Sequence, residues 1–119
     1  LRAVDGFVPQ TALLAEVIAD HRDPAGIVSV ARDARPADFA ALAPRVLGSS
    51  DPAAVAILDQ AVADVAAAIA HLQGDNPVPV VFLGGLAPVF ARALAGRWDM
   101  RAPLGTALDG ALILAREAA

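Results

Sequence analysis

Apolar side chains recur at helical spacing through the first two thirds of the chain, and Pro and Gly residues divide this pattern into segments. Residues 11–21 carry a single stripe of Leu, Val and Ile, which predicts an amphipathic helix. Residues 21–26 have the composition of a turn. The next segment, residues 27–33, is short and is compatible with either a strand or a helical turn.

Two further helices are predicted, and each has a proline in its first turn. The first covers residues 36–47, with a kink or break at Pro44, because an internal proline removes a helical hydrogen bond. The second covers residues 52–72 and is capped by Asp51. It repeats apolar residues three and four positions apart, and we expect this seam to pack inward. The members of the seam are Val55, Leu58, Val62, Val65, Ile69 and Leu72.

The pattern changes near residue 78. Residues 78–83 form a short apolar run between turn signals, which is typical of a buried strand. A helix is predicted over residues 86–95 and a shorter, less apolar strand over residues 97–101. Because a helix connects the two strands, we expect the strands to be parallel and the crossover between them to be right-handed.

The tail, residues 106–118, is predicted as a last helix with Leu108, Leu112 and Ala115 inward. The sequence therefore predicts one helix-rich α/β domain over residues 1–119. Residues 1–73 are expected to be helical, and residues 78–119 to form a parallel β-α-β-α unit.

Composition excludes several classes of function. Hydrophobic residues make up 57% and charged residues 18%, and the net charge is −4, so neither disorder nor a basic nucleic-acid-binding face is expected. The sequence contains no Cys, and its two His lie fifty residues apart, so no metal site is expected. Apolar runs are interrupted before about 18 residues, which predicts no membrane span and a cytoplasmic protein.

The predicted strands also indicate that the chain is part of a longer protein. Parallel strands need covered faces and paired edges, and the upstream helices cannot pair with them. The chain begins with Leu1, and its single Met is Met100. We therefore expect partner strands upstream of this sequence.

Several polar residues have structural explanations. Asp59 and Asp64 are five positions apart on a helix and so do not form a catalytic carboxylate pair. His71 stands near a helix C-terminus, where it suits the helix dipole. Thr106 and Asp109 have the spacing of a capping box. No catalytic residue is assigned within the chain.

Gly84 and Gly85 are the candidate binding feature. A buried strand that ends in two glycines and continues into a helix brings bare backbone to a sheet edge where nucleotides bind. The amides of Gly85, Leu86 and Ala87 would then face an anionic or hydroxyl oxygen. The run is neither a dinucleotide fingerprint nor a Walker A loop, and a tight packed turn explains it equally well.

Two segments carry a resemblance to a known family. VVFLGGLAPVFARAL and MRAPLGTALDGALILARE resemble the C-terminal end of the BadF/BadG/BcrA/BcrD-type ATPases, and within that group bacterial glucosamine and N-acetylglucosamine kinases. The resemblance extends upstream over nearly the whole chain. It implies a ribonuclease-H-like, actin-like ATPase fold, with this chain as part of the C-terminal domain.

The resemblance implies nucleotide contact at four positions, Gly84, Gly85, Leu86 and Ala87. It also implies ATP and Mg²⁺ as cofactors of an intact kinase and an amino sugar as its second substrate. Whether that kinase is a homodimer is left open by the sequence. The phosphate loops and the catalytic Asp of the family have no matching positions here. The chain is therefore expected to be the adenosine-binding part of a kinase and not to transfer phosphate by itself.

Two alternatives stay open. One is an ATP-driven activase of the same family, although such proteins carry a cysteine-ligated iron–sulfur cluster and this chain has no Cys. The other is a non-enzymatic helical interaction fragment, in which the seam of residues 55–72 packs on a partner.

Overall fold

Seven helices and their connecting turns make up residues 1–118, the part of the chain that the structure, a computed structural model, describes. These residues divide into two units, Leu1–Ala61 and Val62–Ala119. The helices are α1 (Ala12–Asp20), α2 (Pro24–Asp33), α3 (Pro36–Ala40), α4 (Ala43–Leu47), α5 (Pro52–Gln73), α6 (Ala87–Ala93) and α7 (Ala107–Glu117).

Side-chain caps fix three helix starts in the first unit. The hydroxyl of Thr11 accepts a hydrogen bond at the start of α1, and Asp23 accepts one from the Gly26 amide at 2.7 Å at the start of α2. Asp51 caps α5 by accepting from the Ala53 amide at 2.8 Å. Each cap satisfies an amide that has no partner inside its own helix.

The early part of the chain follows most of the sequence-based predictions. The helix predicted over residues 11–21 is confirmed as α1. The ambiguous segment, residues 27–33, is helical and belongs to α2, because Asp23 and Pro24 start a helix three residues earlier. The predicted break near Pro44 is confirmed, since α3 ends at Ala40 and α4 begins at Ala43.

The predicted extent of α5 is confirmed, but its buried face differs from the expected seam. Ala54 and Ala66 are buried, whereas Val55 is 47% and Leu72 80% exposed. Alanine has no side chain beyond Cβ, so it permits the closest approach of a neighbouring segment. The remaining seam residues are half-buried: Leu58, Val62, Val65 and Ile69.

The predicted β-α-β-α unit is wrong, and with it the expected α/β fold class and ribonuclease-H-like domain. No strand or sheet forms within residues 1–118. The two predicted strands, residues 78–83 and 97–101, meet at one isolated parallel bridge between Val80 and Met100. The Val80 amide donates to the Asp99 carbonyl at 2.8 Å, and the Arg101 amide donates to the Val80 carbonyl at 3.0 Å. Ala119, the last residue of the predicted unit, lies outside the described residues.

Local chemistry explains why the bridge does not extend into a ladder. A parallel ladder would continue through the amide and carbonyl of Val78 on one side. Both groups instead bond to the side-chain amide of Gln73, at 2.7 Å and 3.0 Å. On the other side the next donor along the second segment would be residue 103, which is a proline and has no N–H.

The second unit buries one large side chain completely. Leu94, at the C-terminal end of α6, is 0% exposed. Nearby, the rings of Phe82 and Phe90 stack with centroids 6.1 Å apart. These contacts hold α6 against the segment that carries Val80.

Helix α7 forms where the sequence predicts it but does not bury the predicted face. Thr106 and Asp109 make the expected capping box at its start. Leu108 is 68% exposed, Leu112 is 49% exposed, and Ala115 is also exposed. The inward orientation expected for these three residues is therefore wrong.

Candidate functional site

The two glycines after residue 83 form a tight, open turn. Gly84 has a φ of 93°, a conformation that favours glycine, and its carbonyl accepts a hydrogen bond from the Ala87 amide at 3.1 Å. A Cβ built at Gly84 or at Gly85 would meet no other atom within 4 Å. The backbone on this side of the turn can therefore be approached by a ligand.

The predicted contact residues differ in whether their backbone amides are free to donate a hydrogen bond to a ligand. The Ala87 amide is used in the turn, but within residues 1–118 the structure assigns no acceptor to the amides of Gly85 and Leu86. Leu86 is the N-cap residue of α6 and its side chain is 42% exposed. Two of the three amides proposed from sequence can therefore donate to a ligand, and the third cannot.

Beside this turn lies a second feature, which we call the Trp98 groove. It is an open depression of about 500 Å³ in the second unit. Ala87 is the member of the predicted site that lines it; Gly84 and Gly85 do not. The full lining is Phe82, Ala87, Pro88, Ala91, Ala95, Gly96, Trp98, Met100, Arg101, Ala102 and Pro103.

The Trp98 groove was missed by the sequence reasoning. Its signal is present in the alternation of the two predicted strands. Residues 80 and 82 alternate with 81 and 83, and residues 98 and 100 alternate with 97 and 99. The bridge of Val80 to Met100 brings Phe82, Trp98 and Met100 to the α6 side, where small residues of the helix leave room for the groove.

Two arginines, Arg97 and Arg101, lie at the groove in a chain of net charge −4. The Arg97 guanidinium lies 4.9 Å from the centroid of the Trp98 ring, a cation–π contact that covers one side of the indole. Arg101 donates two hydrogen bonds to one carboxylate oxygen of Asp99, at 2.8 Å and 3.1 Å.

Asp109 is accounted for by helix capping. Its carboxylate accepts from the Thr106 amide at 2.7 Å and from the Thr106 hydroxyl at 2.7 Å. The Thr106 amide and then the Thr106 hydroxyl hold the pKa of Asp109 below its ordinary value. A carboxylate stabilised in its charged form is a poor general base, and these contacts suit a structural role.

The other polar residues considered from sequence are not gathered into a site. His71 is exposed in the last turn of α5, and Asp59 is exposed on the same helix. In the described part of the chain, no three His, Cys, Asp or Glu side chains come together as a metal site. No ligand set for Mg²⁺ is therefore assigned to residues 1–118.

An apolar groove in the first unit bears on the interaction-fragment alternative. It has a volume of about 420 Å³ and adjoins the first turns of α1 and α5. Ile57, which is 50% exposed, and Val8, which is 38% exposed, belong to its lining. The other lining residues are Pro9, Thr11, Leu14, Pro52, Ala53 and Ala56.

Helix α5 is long and apolar enough to cross a membrane by length and composition alone. Its most apolar window has a mean hydropathy of 1.7, and 11% of that window is buried. Core helices of soluble proteins pass the same test. The absence of membrane contact thus stays a prediction.

Comparison of the chain with protein-family models, with curated proteins and with solved structures found no match. The candidate site therefore rests on the geometry of the glycine turn and of the Trp98 groove.

Proposed function

We propose that this chain supplies the adenosine-contacting part of an ATP-dependent kinase that acts on an amino sugar. The observation that carries the proposal is the open turn at Gly84 and Gly85, where an added Cβ meets nothing within 4 Å. No other segment of the described chain covers the backbone at these two positions within that distance. The resemblance of VVFLGGLAPVFARAL to the family supports the same assignment.

The chain contributes binding and orientation rather than bond making. The amides of Gly85 and Leu86 are donors for a ribose hydroxyl or a phosphate oxygen. When bound, ATP and Mg²⁺ supply the transferable phosphoryl group and the charge that stabilises its transfer. The carboxylate that takes the proton from the sugar hydroxyl is assigned to a part of the enzyme outside residues 1–118.

Gly85→Val tests the proposal, because the substitution fills the open space without straining the fold. Gly85 does not have a left-handed φ, and its added side chain meets no neighbour. We expect the variant to bind ADP at least about tenfold more weakly in isothermal titration calorimetry, with the melting temperature unchanged. Gly110→Val is the matched control, since Gly110 is equally open but lies in α7.

Equal ADP affinity in the wild-type chain and Gly85→Val would contradict the assignment of this turn to adenosine. Absence of ADP binding by the wild-type chain would contradict the proposed function as a whole.

A second candidate, the helical interaction fragment, is favoured by the apolar groove of the first unit and by the exposed apolar residues of α5. Val55, Ile57 and Leu72 are each at least 47% exposed. This function predicts self-association that depends on concentration and does not respond to ADP. Sedimentation velocity with Ile57→Asp measures it, since a charge at the groove would shift the chain toward monomer.

A further inference from the structure

We propose that the Trp98 groove is the subsite for a flat aromatic ring that carries an anionic tail, and that this ring is the base of the bound nucleotide. The identification of the ring as a nucleotide base rests on the proposed function. The choice of an aromatic ring rests on the groove itself.

The lining of the groove selects for a flat ring. Phe82, Trp98, Met100 and two prolines provide apolar surfaces, and aromatic rings pack favourably on such side chains. The wall on the α6 side consists of small residues, Ala87 and Ala91 in α6 and Ala95 just after its end. The groove's volume of about 500 Å³ lies within the usual range for small-molecule sites.

The Arg97 contact orients the indole within this lining. Because the guanidinium covers one side of the Trp98 ring at 4.9 Å, a ring in the groove meets the other face or the edge. A cation over one face also holds the indole in place before the ligand arrives. A ring that stacks on a fixed partner loses less entropy on binding than one that must order it.

Charge and continuity argue for an anionic tail. Arg97 lies over Trp98, and Arg101 lines the groove in a pair with Asp99, so net positive charge lies at the groove although the whole chain is acidic. Ala87 belongs both to the glycine turn and to the groove lining. A ring in the groove would therefore lie next to the turn that carries the Gly85 and Leu86 amides.

The test uses the fluorescence of Trp98, which is the single tryptophan of the chain. The 119-residue chain is titrated separately with ADP, with adenosine and with ribose 5-phosphate. We expect ADP and adenosine to change the Trp98 emission, ADP to bind more tightly than adenosine, and ribose 5-phosphate to leave the emission unchanged.

A matched pair of variants on α6 locates the effect. Ala91→Leu places a larger side chain in the groove, and Ala93→Leu makes the same change at an exposed position of α6 outside it. We expect Ala91→Leu to weaken adenosine and ADP by about tenfold and Ala93→Leu to leave both unchanged. Circular dichroism of both variants confirms that α6 is intact.

The outcomes separate this inference from the proposed function. In one outcome, Gly85→Val weakens ADP binding, Ala91→Leu does not, and the Trp98 emission stays constant. This outcome would overturn the assignment of the base to the Trp98 groove and leave the proposed function standing. Adenosine binding at Trp98 without any effect of Gly85→Val on ADP would support the groove and contradict the glycine turn. No binding of any ring compound would overturn both.

Discussion

The carboxylate of Asp51 accepts a hydrogen bond from the backbone amide of Leu13 at 3.0 Å, across 38 positions of the sequence. Its other oxygen accepts from the Ala53 amide at 2.8 Å. One side chain therefore satisfies amides at the N-terminal ends of two helices, α1 and α5. Leu13 is itself buried, so this bond lies at the edge of the first unit's core.

Replacing Asp51 should destabilise the first unit more than replacing an ordinary cap. Asp51→Ala removes acceptors for two helices, whereas Asp23→Ala removes the cap of α2 alone. We expect the urea midpoint, followed by circular dichroism, to fall further for Asp51→Ala. Equal midpoints would show that the bond to Leu13 contributes nothing to stability.

Asp51 also predicts how stability depends on acid. The Leu13 amide and then the Thr11 hydroxyl lower the pKa of Asp51 in the folded chain. A lowered folded-state pKa gives stability that is complete above the unfolded-state pKa of about 3.9 and is lost as pH falls through the folded-state value. We expect urea midpoints to decline below about pH 4. This decline should be smaller in Asp51→Asn, and an unchanged decline would assign it to other carboxylates.

Leu94 should be the most sensitive apolar position of the second unit. Its side chain is 0% exposed, so Leu94→Ala leaves a cavity and should destabilise by about 2–5 kcal/mol. Leu104→Ala is the control, because Leu104 is fully exposed and its truncation should change stability by less than about 0.5 kcal/mol. Thermal melts of the two variants measure the difference, and similar melting temperatures would contradict the placement of Leu94 in a core.

The capping box of α7 should matter for that helix and not for ligand binding. Thr106→Ala removes the hydroxyl that bonds to Asp109 and should destabilise α7 by about 1 kcal/mol. Backbone chemical shifts of residues 107–117 report the loss of helix. ADP affinity is expected to stay the same in Thr106→Ala and in Asp109→Asn. A loss of affinity at intact helicity would give Asp109 a role beyond capping.

The features that the sequence predicts correctly, helix starts and a helix break, depend on residues that are neighbours in the chain. Asp51 with Pro52, and Thr106 with Asp109, are complete start signals within one helical turn, and the structure confirms both helices. The break before Pro44 is equally local. Such features need no knowledge of what the rest of the chain does.

The prediction of a sheet is wrong because a sheet extends only where backbone groups from distant segments pair, and the local sequence pattern does not show whether they do. Residues 78–83 have strand composition, yet Gln73 takes the Val78 backbone groups and residue 103 offers no amide. The prediction of the buried face of α5 is wrong for a related reason. Neighbouring segments cover Ala54 and Ala66 most completely, rather than the larger apolar residues of the helix. The Trp98 groove arises from the single bridge and could not be seen in either strand alone.

Helix α7 has one further consequence, which concerns hydrogen exchange. Its residues are exposed along the whole helix, and its capping bonds lie within residues 106–109, so tertiary burial contributes little to holding it folded. Isolated helices shorter than about 12–15 residues are only marginally stable in water. The amides of α7 should therefore exchange by local opening, at rates that do not depend on low concentrations of denaturant, while the Leu94 amide exchanges only through larger unfolding events.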